Sequence, residues 1–154
     1  DVFGVRKAQR TAVIRLVLAV ILSTALLGTA LPAAERVEQD RNAELATAEL
    51  ERVAEAAGRL AAENDPVEPT DIPAGTTLTL DVPSSRFTEQ GQIRIAGGEL
   101  RWVLREGDNR TVVPNTPIHI ETPIVTADRV RLRLSFVSVD DSPTVSIASA
   151  DPSV

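Results

Sequence analysis

Sixteen consecutive uncharged residues, Leu16 to Leu31 (LVLAVILSTALLGTAL), interrupt a chain of 154 that is otherwise polar and acidic. Water is a poor solvent for such a run, so its burial constrains everything else the chain can do. Extended back through Ala12, Val13, Ile14 and Arg15 it reaches 20 residues. As an α-helix rising about 1.5 Å per residue, that length covers roughly 30 Å, the thickness of a bilayer's hydrocarbon core. The pattern predicts a transmembrane helix over 12–31, preceded by a short cytoplasmic tail or leader at 1–11.

Lys and Arg beside a span are retained on the cytoplasmic side. Residues 1–15 carry Arg6, Lys7, Arg10 and Arg15 against Asp1, a balance of +3, whereas residues 32–154 carry 12 basic and 21 acidic groups, a balance of −9. The expected orientation puts the N-terminus inside and the remainder outside. Arg15 sits at the edge of the span, where its long side chain can snorkel to the headgroups. The same stretch also has the build of a cleaved secretory signal, with a basic start, an apolar centre and small residues at Gly28-Thr29-Ala30 or Ala33-Ala34.

Beyond the anchor the length suffices for one small domain and a helical stalk. With no cysteine, neither disulfides nor thiolates can staple that domain. Its acidic groups outnumber its basic ones, and Lys7 is the single lysine beside 15 arginines. An acidic surface nearly free of lysine suits a protein bathed in high salt, so a halophilic origin is expected. The same balance excludes nucleic acid as a partner, because phosphates require a basic stripe.

Pro32 follows the apolar run, and within a helix it removes one hydrogen bond and crowds the carbonyl of Gly28, so a kink is expected there. An amphipathic stalk helix is expected over 32–64, since from Ala33 to Glu63 strong helix formers dominate, interrupted only by Gly58. Ala43, Ala46, Leu50, Val53, Ala57 and Leu60 follow spacings of three and four and form an apolar helix-packing seam. Glu38 with Arg41, Glu49 with Arg52 and Glu55 with Arg59 stand at ion-pairing intervals. The seam can pack either on the rest of the same chain or on copies of the chain.

A proline-rich linker over 65–75 (DPVEPTDIPAG) ends this helix and is expected to hold the next domain at a set distance. From 76 to 154 the period changes to two. Leu78, Leu80 and Val82 alternate with polar residues, as do Ile93 and Ile95, Leu100 and Trp102, and Val130, Leu132, Leu134 and Phe136. Arg129, Arg131, Arg133 and Ser135 take the opposite face of the longest strand, that of Val130 to Phe136. Asp140-Asp141-Ser142-Pro143 reads as a turn into a final strand with Val145 and Ile147. The expected fold class is α+β: one long N-terminal helix, kinked near Pro32, and a small antiparallel β head of about seven strands, a sandwich or an open barrel, with Trp102 and Phe136 in its core.

Catalytic chemistry is not legible. His119, the single histidine, lies between Ile118 and Ile120 and should face solvent, and no serine sits in a nucleophile motif. One histidine and no cysteine rule out a His/Cys zinc site. Glu106-Gly107-Asp108-Asn109 and Asp140-Asp141 are acidic turns outside any EF-hand pattern, and Gly97-Gly98 lacks the Lys-Ser or Lys-Thr of a phosphate loop. The expectation is a non-enzymatic chain with no catalytic residue, no metal and no cofactor. Asn109-Arg110-Thr111 is an N-glycosylation triplet in a proposed turn, whereas Asn115-Thr116-Pro117 does not qualify.

Lys7-Ala8-Gln9-Arg10-Thr11, directly ahead of the apolar run, resembles the cleavage region of archaeal type IV prepilins. That family places a basic and a small residue before a Gln, and the order of apolar helix, amphipathic helix and β-rich head is also similar to a type IV pilin. The resemblance implies Ala8 as the last leader residue and Gln9 as the first mature one. It departs from the family's pattern where Arg10 and Arg15 interrupt the apolar segment. The function it implies is a surface filament subunit that joins its copies through the N-terminal helix and works with pilus or secretion machinery. The alternative is a single-pass, non-polymerising accessory or binding protein of such a system. A hydrolase released by signal cleavage lacks the residues it would need.

Overall fold

The computed structural model describes residues 2–68, 71–86, 88–105 and 109–151, with side chains from Val13 onward. The fold is α+β. A single helix, α1 (Val2–Glu63), is followed by eight strands: β1 (Gly75–Leu80), β2 (Gln92–Ala96), β3 (Glu99–Val103), β4 (Arg110–Val112), β5 (Ile118–His119), β6 (Ile124–Thr126), β7 (Val130–Val139) and β8 (Ser142–Ser149). Eight strands stand where about seven were expected, and three of them, β4, β5 and β6, are no more than three residues long.

Pro32 lies inside α1 without ending it. The helix stops where Asn64 takes over a terminal carbonyl, its Nδ2 donating to Leu60 O at 2.9 Å ahead of Asp65-Pro66. The chain divides into two compact units, Asp1–Glu38 and Gln39–Val154. The boundary is therefore inside α1 and not at the proline-rich segment. Helix residues from 39 onward belong to the same compact unit as the strands.

The proline-rich stretch is stitched to β7. Val67 makes an isolated parallel bridge to Val137, Ser138 N donates to Val67 O at 2.8 Å, and Phe136 N donates to Ala74 O at 2.9 Å. In both bonds the segment supplies a carbonyl, of Val67 and of Ala74, to a backbone N–H of β7.

The strands form two four-stranded sheets, ordered β1-β7-β8-β5 and β4-β3-β2-β6. Pairing is antiparallel except between β5 and β8. That parallel pair departs from the all-antiparallel expectation, and the long connection from β5 through β6 and β7 makes it possible. Two tight hairpins set the registers. Gly97 and Gly98, at φ +60° and +81°, join β2 to β3; Asp140 and Asp141, at φ 51° and 61°, join β7 to β8. Both two-residue loops have positive φ at each position, as type I′ turns require to match strand twist.

One hydrophobic cluster draws on α1 and on both sheets. Leu50 and Val53 from the helix, Leu132, Leu134 and Ile147 from the first sheet, and Ile93, Ile95, Leu100 and Trp102 from the second are buried. Trp102 and Phe136 are core residues, as their positions in the alternation imply. Trp102 meets Gly91 at close range and leaves its Nε1 without a hydrogen-bond partner among the described residues. Arg94, Arg101, Arg131 and Arg133 point outward on the polar phase of the same strands.

Candidate functional site

Along α1 the apolar run keeps its entire surface exposed from Val13 through Leu31. By length and composition this is a helix that can cross a membrane, and the qualifying window has no buried residue. Its few hydroxyls are satisfied by the helix itself: Ser23 Oγ donates to Ala19 O at 2.7 Å, Thr24 Oγ1 to Val20 O at 2.8 Å, and Thr29 Oγ1 to Leu26 O at 3.1 Å. In hydrocarbon an unpaired hydroxyl is costly, so back-bonding of this kind leaves no polar atom of the run in need of water. Arg15, two residues from the start of the exposed apolar surface at Val13, has no ion-pair partner among the described residues. For the leader-cleavage pair Ala8 and Gln9 only the helical backbone is described; their side chains lie outside the described part.

Further along, the seam is treated in the opposite way. Ala43, Ala46, Leu50, Val53, Ala57 and Leu60 are all buried in the cluster that includes the head's strands, and Ala56 joins them. Of the two packings open to this seam, the chain fills it itself.

Polar clasps fix that approach. Arg52 pairs with Glu49 at 3.0 Å, as their spacing implies. Arg52 Nη2 also donates to Thr79 O, and Glu49 Oε2 accepts from Asp81 N at 3.2 Å, so the pair grips the end of β1. Arg129, just ahead of β7, reaches Asp81 Oδ1 with its Nε at 2.5 Å. No ion pair joins Glu55 to Arg59 among the described residues. Asn42, silent in the sequence because the seam pattern begins one residue later, is buried and donates to Ser85 Oγ at 3.0 Å. Gln90 is a second unforeseen tie. It accepts from Ser85 N at 3.0 Å and donates to Pro83 O at 2.9 Å and Ala127 O at 3.2 Å.

Within the head, His119 is exposed on β5 beside Ser146 of β8, with no acidic or hydroxyl partner hydrogen-bonded to it among the described residues. Asp140 and Asp141 are the tip of a hairpin, and Glu106, Gly107 and Asp108 lie outside the described residues. No group of three His, Cys, Asp or Glu able to hold a metal gathers among the described residues. A shallow groove between β6 and β8 is lined by Ile124, Thr126, Val130 and Ile147, with Glu121 and Asp151 also on its walls. Asn109 is exposed at the entry to β4, an edge strand.

Comparison with known proteins matches residues 13–150 to one family model, described as a domain of unknown function (DUF7311). No curated protein and no solved structure matches the chain.

Proposed function

The chain belongs to the DUF7311 family, and we propose that it is a non-enzymatic, single-pass surface protein of pilin-like build, anchored by residues 12–31 with its N-terminus inside and its head outside. One observation carries this reading. The apolar run is uncovered from Val13 to Leu31 and its hydroxyls are internally satisfied, while the apolar seam from Ala43 to Leu60 on the same helix is consumed by the head. Only the first stretch is left for an apolar environment beyond the chain. Lipid is one such environment, and the same stretch on copies of the chain is another. A filament subunit uses both in turn, and assembly through this stretch leaves the acidic heads on the outside.

Arg15 favours a second reading, a tethered accessory protein that does not polymerise. At the bilayer edge its guanidinium stays hydrated, whereas in a packed bundle of helices it needs a carboxylate. The chain has no cysteine, so single cysteines at Leu22 or Leu27 report helix–helix contact without background. Oxidative cross-linking through Leu22→Cys or Leu27→Cys, in protein from membranes and from a sheared surface fraction, is the outcome expected of a filament subunit. Monomeric protein in both fractions sinks the filament and leaves the tethered form.

A further inference from the structure

We propose that Asn109 is an N-glycosylation site, with an oligosaccharide carried on a polyisoprenyl phosphate or diphosphate as the donor. Asn42, Asn64, Asn109 and Asn115 are the asparagines of the chain, and Asn109-Arg110-Thr111 alone satisfies the N-x-Ser/Thr rule, since Pro117 spoils the last one. The geometry agrees with the motif. Asn109 and Thr111 are both exposed, and among the described residues β4 is bonded on one side, to β3.

Register decides which way the triplet faces. Thr111 stands opposite Arg101, whose neighbours Leu100 and Trp102 are buried, so Thr111 is on the outer face of the sheet. Side chains two apart on an extended chain share a face, which puts Asn109 on that same outer surface. Leu104 N donates to Asn109 Oδ1 at 3.2 Å. The amide is thereby oriented by its oxygen, and its Nδ2, the atom that is glycosylated, is left free of hydrogen bonds among the described residues. Thr111 Oγ1 makes none there either.

The transfer balances without a redox partner. Asn109 Nδ2 forms a bond to the anomeric carbon of the donor sugar, and the bond from that carbon to the phosphate oxygen breaks. The electron pair leaves with the lipid phosphate, and the displaced amide proton passes to a base of the membrane-bound transferase. The product places a bulky polar group beside the open edge of β4. An edge covered in this way cannot pair with the edge of another head.

The site rests on the reading that the head lies outside, so the experiment measures both. The full chain is recovered from membranes of its producing cells as wild type, Asn109→Gln, Thr111→Ala and Thr111→Ser, each also carrying Thr77→Cys. Thr77 is exposed on β1, and the chain has no other thiol for a membrane-impermeant maleimide to label on intact cells. The expected result is a labelled head with a sugar-sized mass increment on the Asn109 peptide of the wild type and of Thr111→Ser, and none in Asn109→Gln or Thr111→Ala. A labelled head with an unmodified Asn109 peptide overturns the glycosylation site alone. An unlabelled head overturns the outside orientation, and the site with it.

Discussion

A Cβ built on Gly91 falls 2.0 Å from Cζ2 of Trp102 and 2.3 Å from Cη2. The indole occupies the space that any larger residue at 91 would need, and the ring is fully buried among residues of both sheets and α1. Gly91→Ala must therefore push the ring or the backbone aside. Overpacking of this kind costs about 1–3 kcal/mol. The expected outcome is a lower unfolding midpoint for the detergent-solubilised chain, recovered in part by Gly91→Ala with Trp102→Leu. Equal midpoints for wild type and Gly91→Ala would show that the ring moves freely.

The seam and the anchor separate by mutation. Leu50 is completely buried, so Leu50→Ala should cost about 2–5 kcal/mol of head stability, and Leu50→Glu should unfold the head. Leu22→Glu should leave head unfolding unchanged and abolish membrane retention, because Leu22 is exposed and outside the head unit. Circular dichroism in denaturant and alkaline extraction of membranes read the two effects independently.

Asn42 is a buried amide with one good partner, Ser85 Oγ. Asn42→Ala strands that hydroxyl and empties a polar niche, with an expected loss of about 1–3 kcal/mol. Asn42→Ala combined with Ser85→Ala should cost less than the sum of the two singles, and strict additivity in a double-mutant cycle would argue against the contact.

The β7–β8 hairpin places two aspartates at positive φ. Left-handed backbone costs a side chain roughly 1–2 kcal/mol and glycine almost nothing. Asp141→Gly should raise the unfolding midpoint, and Asp140→Asn with Asp141→Gly should raise it further. A fall would mean that the carboxylates hold the turn by some other interaction.

Residues 32–154 carry a balance of −9, so self-repulsion should oppose folding of the head at low ionic strength. Salt screens such charges over about 10 Å at 0.1 M and about 3 Å at 1 M. The unfolding midpoint should rise steadily with KCl up to molar concentrations; a flat or falling curve would remove the halophilic reading.

What the sequence disclosed follows from period. The seam from Ala43 to Leu60 and the alternation in β7 each repeat often enough to name their buried residues, and those residues are buried, while the apolar run declares itself by its length and stays exposed. Pairing and destination are less visible. A seam of three alanines, two leucines and a valine suits a sheet as well as a neighbouring helix, and the spacing alone does not choose between them. The 65–75 segment reads as a stiff linker and not as part of a sheet edge, because its bonds to β7 use carbonyls, which every residue type possesses. Asn42, Gln90 and Gly91 act through single contacts, and a single contact leaves no period behind.

The central claim, that residues 12–31 hold the chain in the membrane, is tested most directly by the mature N-terminus and mass of the protein in membrane, sheared and soluble fractions. The account predicts that all protein sedimenting with membranes or filaments retains this stretch, starting at or before Gln9. A chain that begins after Ala30 or Ala34 and is recovered soluble would contradict it, making the apolar run a discarded signal and the head a secreted domain.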